Sequence, residues 1–149
     1  MHRIFVYGTL KSTEIFNFHL IDVTNGKATF VCKGTTCKKY PLVAFTFKQY
    51  KRVPGLLFDD EGVGNNVHGE IWDVDDQLLR WLDNFESYPE HYDRQVLDIV
   101  REEGAQATVE QCMTYVRRGY SKDVLELPYY TSYNSTEIGK PYEATDCVE

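Results

Sequence analysis

Short apolar runs interrupted by glycine and proline restrict this chain to a fold made mostly of short strands. The runs ATFVC, PLVAF and GLLF lie between residues 28 and 58, and the residues that interrupt them are Gly34, Pro41, Pro54 and Gly55. Apolar segments of this length between turn-forming residues are typical of strands. Two longer β-rich runs, residues 93–101 and 107–117, are joined through EEGAQ and predict a hairpin with its turn at Gly104.

A closed or nearly closed barrel suits so many short strands, because closure removes exposed strand edges. Residues 3–7 and the segment VHGEIWDV add two more strands, and Ser12 is predicted to cap a brief helix through Phe16 and Leu20. The predicted fold class is therefore α+β, a small mixed β-barrel with one main helix and short helices. No linker or repeat divides the chain, so we expect a single domain over residues 1–149 with an irregular tail from about residue 135.

Charge and composition exclude several classes of partner. The net charge of −7 and the pI near 5.1 argue against nucleic acid, since affinity for a phosphate backbone depends on clustered Lys and Arg. No run approaches the roughly 18 apolar residues of a membrane span, and the N-terminus lacks the features of a signal peptide. The cysteines and histidines are too dispersed for a local metal-ligand set. We therefore expect a cytoplasmic protein with no metal site and with neither nucleic acid nor membrane as a partner.

The clearest helix is predicted for DDQLLRWLDNFE, residues 75–86. Asp75 is a good N-cap, and Pro89 prevents the helix from continuing. At about 100° per residue the apolar side chains share one face, and Glu86 falls between Leu82 and Leu79 on that face. A charged carboxylate is unexpected on an apolar helix face, because burying it without a partner costs free energy.

Two interpretations of Glu86 stay open from this pattern. If the helix has frayed by its last residue, the carboxylate turns to solvent or pairs with a Lys or Arg. If it is held in a partly apolar pocket, desolvation raises its pKa towards the value of about 6–7 that suits a proton acceptor near neutral pH. Glu70 in HGEIWDV is a second carboxylate among apolar residues, and for it a structural role, bound to a sheet-edge amide or an arginine, is favoured over catalysis.

The first strand ends in the tetrapeptide Tyr7-Gly8-Thr9-Leu10. A simple turn explains the glycine. Successive backbone N–H groups at a glycine turn also form a concave anion site, to which the Thr9 hydroxyl can add a donor. The tetrapeptide alone does not decide between these two readings.

Several segments together resemble one family. They are VYGTLK at 6–11, YPLV at 40–43, GEIW at 69–72, and LDNFESYP at 82–89 followed by Tyr92 and Arg94. In this order they are similar to the gamma-glutamylcyclotransferase-like proteins, and most similar to the gamma-glutamylamine cyclotransferases among them. YGTL is a weak signal alone, but YGTL about 75 residues before LDxFE is much more specific.

The resemblance implies a small mixed barrel with a pocket between the turn and the glutamate. It assigns binding of the substrate's glutamyl end to Tyr7, Gly8, Thr9 and Leu10, and the role of general base to Glu86. The stretch SYNS at 132–135 is similar to a SYDS stretch of the family and implies that Tyr133 lines the pocket. Arg94 is interpreted instead as an ion-pair partner that holds the end of the helix.

The implied reaction begins from a small-molecule γ-glutamyl amine such as γ-glutamyl-lysine. Its own α-amino group attacks the γ-carbonyl and releases 5-oxoproline and a free amine, with no cofactor. Two alternatives stay open at this point. One is the same reaction on γ-glutamyl amino acids or glutathione, and the other is a ligand-binding or regulatory module that has the pocket without turnover.

Overall fold

A computed structural model describes residues 1–47, 50–102 and 107–138. The strands in these ranges are β1 (His2–Val6), β2 (Ala28–Tyr40), β3 (Leu42–Phe47), β4 (Tyr50–Leu56), β5 (Asn65–Val74), β6 (Asp93–Arg101) and β7 (Thr108–Val116). The helices are α1 (Phe18–Ile21), α2 (Asp76–Phe85) and α3 (Ser135–Ile138), with short 3₁₀ turns at Phe58–Asp60 and Lys122–Glu126. The α+β fold class is confirmed.

Five strands close into a barrel in the order β1-β5-β2-β6-β7. Strand β1 pairs parallel with β7, whereas the other neighbours in the barrel pair antiparallel, so the barrel is mixed as predicted. Strands β3 and β4 form a separate two-stranded sheet. Two hydrogen bonds connect the end of this sheet to the residue after β7: the Arg117 amide donates to the Leu56 carbonyl at 2.9 Å, and the Phe58 amide donates to the Arg117 carbonyl at 3.1 Å.

Strand β5 is buried on both faces, because the barrel interior covers one and α2 covers the other. Ile71 packs inside the barrel with Phe5 and Ile99, and Trp72 and Val74 pack under α2 with Leu78 and Leu82. Two-sided burial explains why the alternation of residues in VHGEIWDV could not show which way Glu70 points. It also fixes α2, and with it the helix end, against the outside of the barrel.

The segment after β1 differs from its prediction. The helix there is only Phe18–Ile21, and residues 8–17 form a series of turns. Ser12 does not cap it, because the Ser12 amide and hydroxyl both donate to Glu70 Oε1, at 2.9 and 3.0 Å. The buried carboxylate of β5 competes successfully for the donors that a helix N-cap arrangement would have used.

The C-terminal part of the described chain wraps over the barrel without a strand of its own. The Tyr130 amide donates to the Leu42 carbonyl, and the His68 amide donates to the Thr131 carbonyl, at 2.9 and 2.8 Å. Residues 135–138, where the irregular tail is expected to begin, are helical. The predicted hairpin turn at Gly104 and the remainder of the tail lie outside the described residues. None of the helices in the described ranges is long and apolar enough to span a lipid bilayer.

Candidate active site

One pocket joins the turn after β1 to the end of α2. It is lined by residues 5–10, Pro54, Glu86, Tyr92 and Tyr115, and it encloses about 380 Å³ including its open mouth. The tetrapeptide at 7–10 and Glu86 are therefore neighbours in space, although about 75 residues separate them in the sequence. The structure brings together five of the six residues that the sequence singled out.

The turn uses its carbonyl groups internally and leaves its amides available. The carbonyls of Gly8, Thr9 and Leu10 accept from the Lys11 amide, the Phe16 amide and the Asn17 side-chain amide, at 3.1, 2.9 and 2.9 Å. Within the described residues, the amides of the same three positions donate to no acceptor. Buried backbone N–H groups are rarely left unpaired, so three in succession beside a pocket indicate a place for an anionic ligand group.

Gly8 is required by a close contact with the neighbouring sheet. A Cβ added at Gly8 would lie 2.8 Å from the Pro54 Cγ atom, which is closer than real Cβ contacts allow. Two tyrosine hydroxyls form hydrogen bonds with the backbone of β4 and keep that strand close to the turn. The Tyr92 hydroxyl donates to the Pro54 carbonyl at 2.5 Å, and the Tyr7 hydroxyl donates to the Tyr115 carbonyl at 2.7 Å while accepting from the Leu56 amide at 3.2 Å. The hydroxyl of Tyr7 therefore holds the pocket walls together, while its ring lines the pocket.

Glu86 lies at the C-cap of α2, still in helical conformation. Its backbone has φ −83° and ψ −1°, and its amide donates to the Leu82 carbonyl at 2.8 Å. The helix turns away only at Ser87, whose φ of +52° is left-handed. The frayed-end interpretation of Glu86 is therefore wrong, and the side chain stays on the inner face of α2 as the helical spacing predicted.

Burial dominates the electrostatics of Glu86. Desolvation raises its pKa from 4.5 to about 8, and no opposing charge or hydrogen bond compensates. Within the described residues no group hydrogen-bonds to its carboxyl, and the half-buried side chain lines the pocket. A carboxyl with a pKa near neutrality that is unengaged in the free protein is suited to take and return a proton.

A polar network beside the pocket holds the last turn of α2. Asp83 accepts from the Tyr115 hydroxyl at 2.6 Å and lies 3.3 Å from Arg94 Nε, and the Arg94 guanidinium carbon lies 4.5 Å from the centre of the Tyr88 ring. Arg94 thus has the helix-holding role predicted for it. Burial and the Asp83 carboxylate raise the pKa of Tyr115, which keeps that hydroxyl protonated and donating.

Tyr133 lies outside the pocket lining. Its side chain is fully buried in the core, its hydroxyl donates to the Arg52 carbonyl at 2.6 Å, and its own carbonyl accepts from Lys11 Nζ at 2.6 Å. Tyr133 therefore ties the C-terminal wrap to β4 and to the residue after the turn, and the substrate-contacting position expected for it is not what the structure shows. Glu70 is likewise structural: its Oε1 accepts from Ser12 and from Trp72 Nε1 at 3.1 Å.

Five pocket residues are not predicted from the sequence: Phe5 and Val6 at the end of β1, and Pro54, Tyr92 and Tyr115. Tyr92 belongs to the family motif that follows LDNFE, but the motif alone assigns it no role in binding or catalysis. Pro54 and Tyr115 lie on strands far from either motif, and nothing local marks them. In the described ranges no group of three His, Cys, Asp or Glu side chains is arranged to hold a metal ion.

A second cavity also has Glu86 in its wall. It encloses about 910 Å³ including its mouth and shares Glu86 and Tyr92 with the first pocket. Its other described walls are mostly apolar and include Phe16, Phe47, Tyr50, Val53, Phe85 and His91. We call this cavity the aromatic groove.

Comparisons with known proteins agree with this geometry. The sequence profile of the gamma-glutamyl cyclotransferase, AIG2-like family matches residues 4–135. The gamma-glutamylaminecyclotransferase of Mus musculus is 39% identical over 139 residues, which cover 91% of each chain. The Homo sapiens gamma-glutamylaminecyclotransferase is 37% identical over 143 residues, again covering 91% of each. The crystal structure of an AIG2-like protein from Mus musculus superposes with a TM-score of 0.87 at 37% identity, covering 98% of this chain and 97% of the other.

Proposed function

This chain belongs to the AIG2-like gamma-glutamyl cyclotransferase family, and we propose that it converts γ-glutamyl amines to 5-oxoproline and a free amine in the pocket between the turn and Glu86. The observation that carries the proposal is a half-buried carboxyl that lines the same pocket as the turn, while neither it nor three amides of the turn has a hydrogen-bond partner among the described residues. The relatives named gamma-glutamylaminecyclotransferases support it.

The turn is suited to hold the α-carboxylate of the substrate. The amides of Gly8, Thr9 and Leu10 are the donors, and the Thr9 hydroxyl lies in the same pocket. Fixing that carboxylate restrains the flexible glutamyl chain, so that its α-nitrogen folds back towards its γ-carbonyl. Because nucleophile and electrophile belong to one molecule, orientation contributes much of the rate enhancement.

Glu86 is suited to carry protons from one nitrogen to the other. Burial raises the pKa of Glu86 to about 8, which brings it nearer to the pKa of an α-ammonium group than that of an ordinary glutamate, so transfer between the two costs less. As the α-nitrogen bonds to the γ-carbonyl carbon, the bond from that carbon to the amine nitrogen breaks. Two protons leave the α-nitrogen in turn, and both finish on the departing amine, which is released as an ammonium ion.

Replacing Glu86 by Gln tests the proposal. Glu86→Gln keeps the shape of the side chain but removes the proton acceptor, so we expect 5-oxoproline formation from γ-glutamyl-lysine to fall about 10²–10⁴-fold. Calorimetric binding of 5-oxoproline should persist, because the turn is unchanged. Glu90→Gln is the matched control, since Glu90 is an exposed carboxylate four residues further along the chain.

Two results would separate this proposal from its alternatives. Full turnover in Glu86→Gln would overturn the role of Glu86. A substrate panel containing γ-glutamyl amino acids and glutathione decides the preferred compound, and binding without any 5-oxoproline from any of them would favour a binding module.

A further inference from the structure

We infer that the aromatic groove holds the hydrocarbon chain of the departing amine, with Phe47 and Tyr50 as residues that determine specificity for chain length. The inference rests on the proposed function, because it requires the scissile bond to lie at Glu86. It concerns residues that no motif in the sequence marked.

Continuity of the two cavities gives the direction of the substrate. The turn pocket and the groove share Glu86 and Tyr92 as walls, and the other described walls of each are different residues. With the glutamyl end fixed at the turn and the γ-carbonyl beside Glu86, the atoms beyond the scissile nitrogen enter the groove. Because Glu86 lines both cavities, its carboxyl is placed beside both the α-nitrogen and the leaving nitrogen, as proton transfer between them requires.

The walls of the groove favour hydrocarbon. Phe16, Phe47, Phe85 and Val53 present aromatic and aliphatic surface, whereas Ser87 and His91 are its polar members besides Glu86 and the tyrosine hydroxyls. The Tyr92 hydroxyl is already committed to the Pro54 carbonyl. Methylene groups of an amine chain gain from leaving water for such a surface, and a polar group at the far end of the chain regains solvent at Tyr50, which is 38% exposed.

Ring packing holds these walls in place before a ligand binds. Phe85 stacks on Trp81 with centroids 5.2 Å apart and meets the edge of Phe16 at 5.5 Å. On the opposite wall, the Phe47 and His91 rings lie 4.6 Å apart at a steep angle. A groove formed in advance does not lose binding free energy to ordering its own side chains.

The experiment measures kcat/KM for the γ-glutamyl methylamide, propylamide and pentylamide by 5-oxoproline release. Each methylene that enters the groove should raise kcat/KM by up to about fourfold in the wild-type protein. Phe47→Ala and Tyr50→Ala should each reduce the ratio of pentylamide to methylamide kcat/KM. Tyr50→Ala is the safer variant for folding, because Tyr50 is the more exposed of the two. Phe30→Ala is the control, since Phe30 is an exposed phenylalanine that packs on Trp72 outside both cavities.

The outcomes distinguish this inference from the proposed function. If none of the three amides yields 5-oxoproline, the proposed function fails. If all yield it with equal kcat/KM, or if both groove variants keep the wild-type ratio while folded by circular dichroism, the groove does not hold the chain although the reaction stands. A ratio that falls in the groove variants and not in Phe30→Ala supports the inference.

Discussion

Glu86 combines a catalytic advantage with a cost in stability. Its carboxyl lies on the inner face of α2, has no hydrogen-bond partner in the described part of the chain, and has a pKa raised by desolvation from 4.5 to about 8. A folded-state pKa above the unfolded value means that the folded protein binds the proton more tightly between the two values. Stability therefore decreases as the pH rises through this range.

The residue-scale prediction compares the stability of Glu86→Gln and wild type at two pH values. Glutamine does not ionise, so the variant lacks the loss of stability that the wild type undergoes as the pH rises from 4.5 through about 8. We expect the variant to gain about 2–4 kcal/mol in unfolding free energy relative to wild type between pH 4.5 and pH 8.5, measured by urea denaturation. Glu90→Gln should show no such change with pH. A constant difference between Glu86→Gln and wild type would contradict the raised pKa.

Helix α2 presents Glu86 to the pocket, and its last turn is held from outside by side chains of β6 and β7. The Tyr115 hydroxyl and Arg94 converge on the Asp83 carboxylate. Asp83 faces away from the apolar stripe that Leu78 and Leu82 form, so the helix is held by packing on one side and by this network on the other. Precise placement of Glu86 depends on both.

Replacing Tyr115 by Phe tests whether this network positions the end of α2. Removing the hydroxyl leaves the ring in the pocket but takes a donor from the Asp83 carboxylate, which should cost about 1–3 kcal/mol of unfolding free energy. Since the end of α2 is then less constrained, kcat should decrease several-fold with a smaller change in KM. Tyr120→Phe is a matched control, because the Tyr120 hydroxyl donates to Asp60 at 2.5 Å outside both cavities. Equal losses of kcat in the two variants would argue against a positioning role.

At the scale of the whole molecule, a charge cluster joins four of the five barrel strands. Arg3 on β1 donates to both oxygens of Asp73 on β5, at 2.7 and 3.0 Å, and to Glu110 on β7 at 2.6 Å. Arg101 on β6 reaches the same Glu110 carboxylate at 3.2 Å. Hydrogen bonding to Arg3 lowers the pKa of Asp73. The contribution of the Arg3–Asp73 pair to folding stability is therefore present at neutral pH and is lost as the pH falls through that lowered pKa.

The corresponding prediction is Arg3→Gln. It leaves Asp73 and Glu110 as neighbouring carboxylates without their shared cation, which should lower the unfolding free energy by about 1–3 kcal/mol at neutral pH. The loss should shrink in acid, where the carboxylates are protonated. Arg118→Gln is the control, because the pair that Arg118 forms with Asp59 is exposed and solvent screening leaves it little effect on stability. Thermal denaturation at pH 7 and pH 3 measures both variants.

The sequence predicted the barrel class, α2 and the position of Glu86 because these depend on local patterns. Helical spacing, the Asp75 cap and Pro89 are sufficient to place Glu86 on the apolar face, and β6 and β7 match their predicted ranges to within a residue. The predicted cap of the first helix is wrong because the donors of Ser12 bind the Glu70 carboxylate, which lies 58 residues away in the sequence. No local pattern includes such a competitor. That the chain forms one domain over its full length stays a prediction.

The amino-acid sequence by itself determined the short strands, the main helix and its out-of-place carboxyl, and the family to which these segments belong. Tertiary structure alone decided that three amides of the turn meet no acceptor in the described part of the chain, that Pro54, Tyr92 and Tyr115 complete the pocket, and that Tyr133 lies in the core. It also decided that the aromatic groove shares Glu86 with the pocket. The reason is physical: periodicity and capping act within one or two turns of chain, whereas a cavity is the space left when strands distant in sequence close around each other.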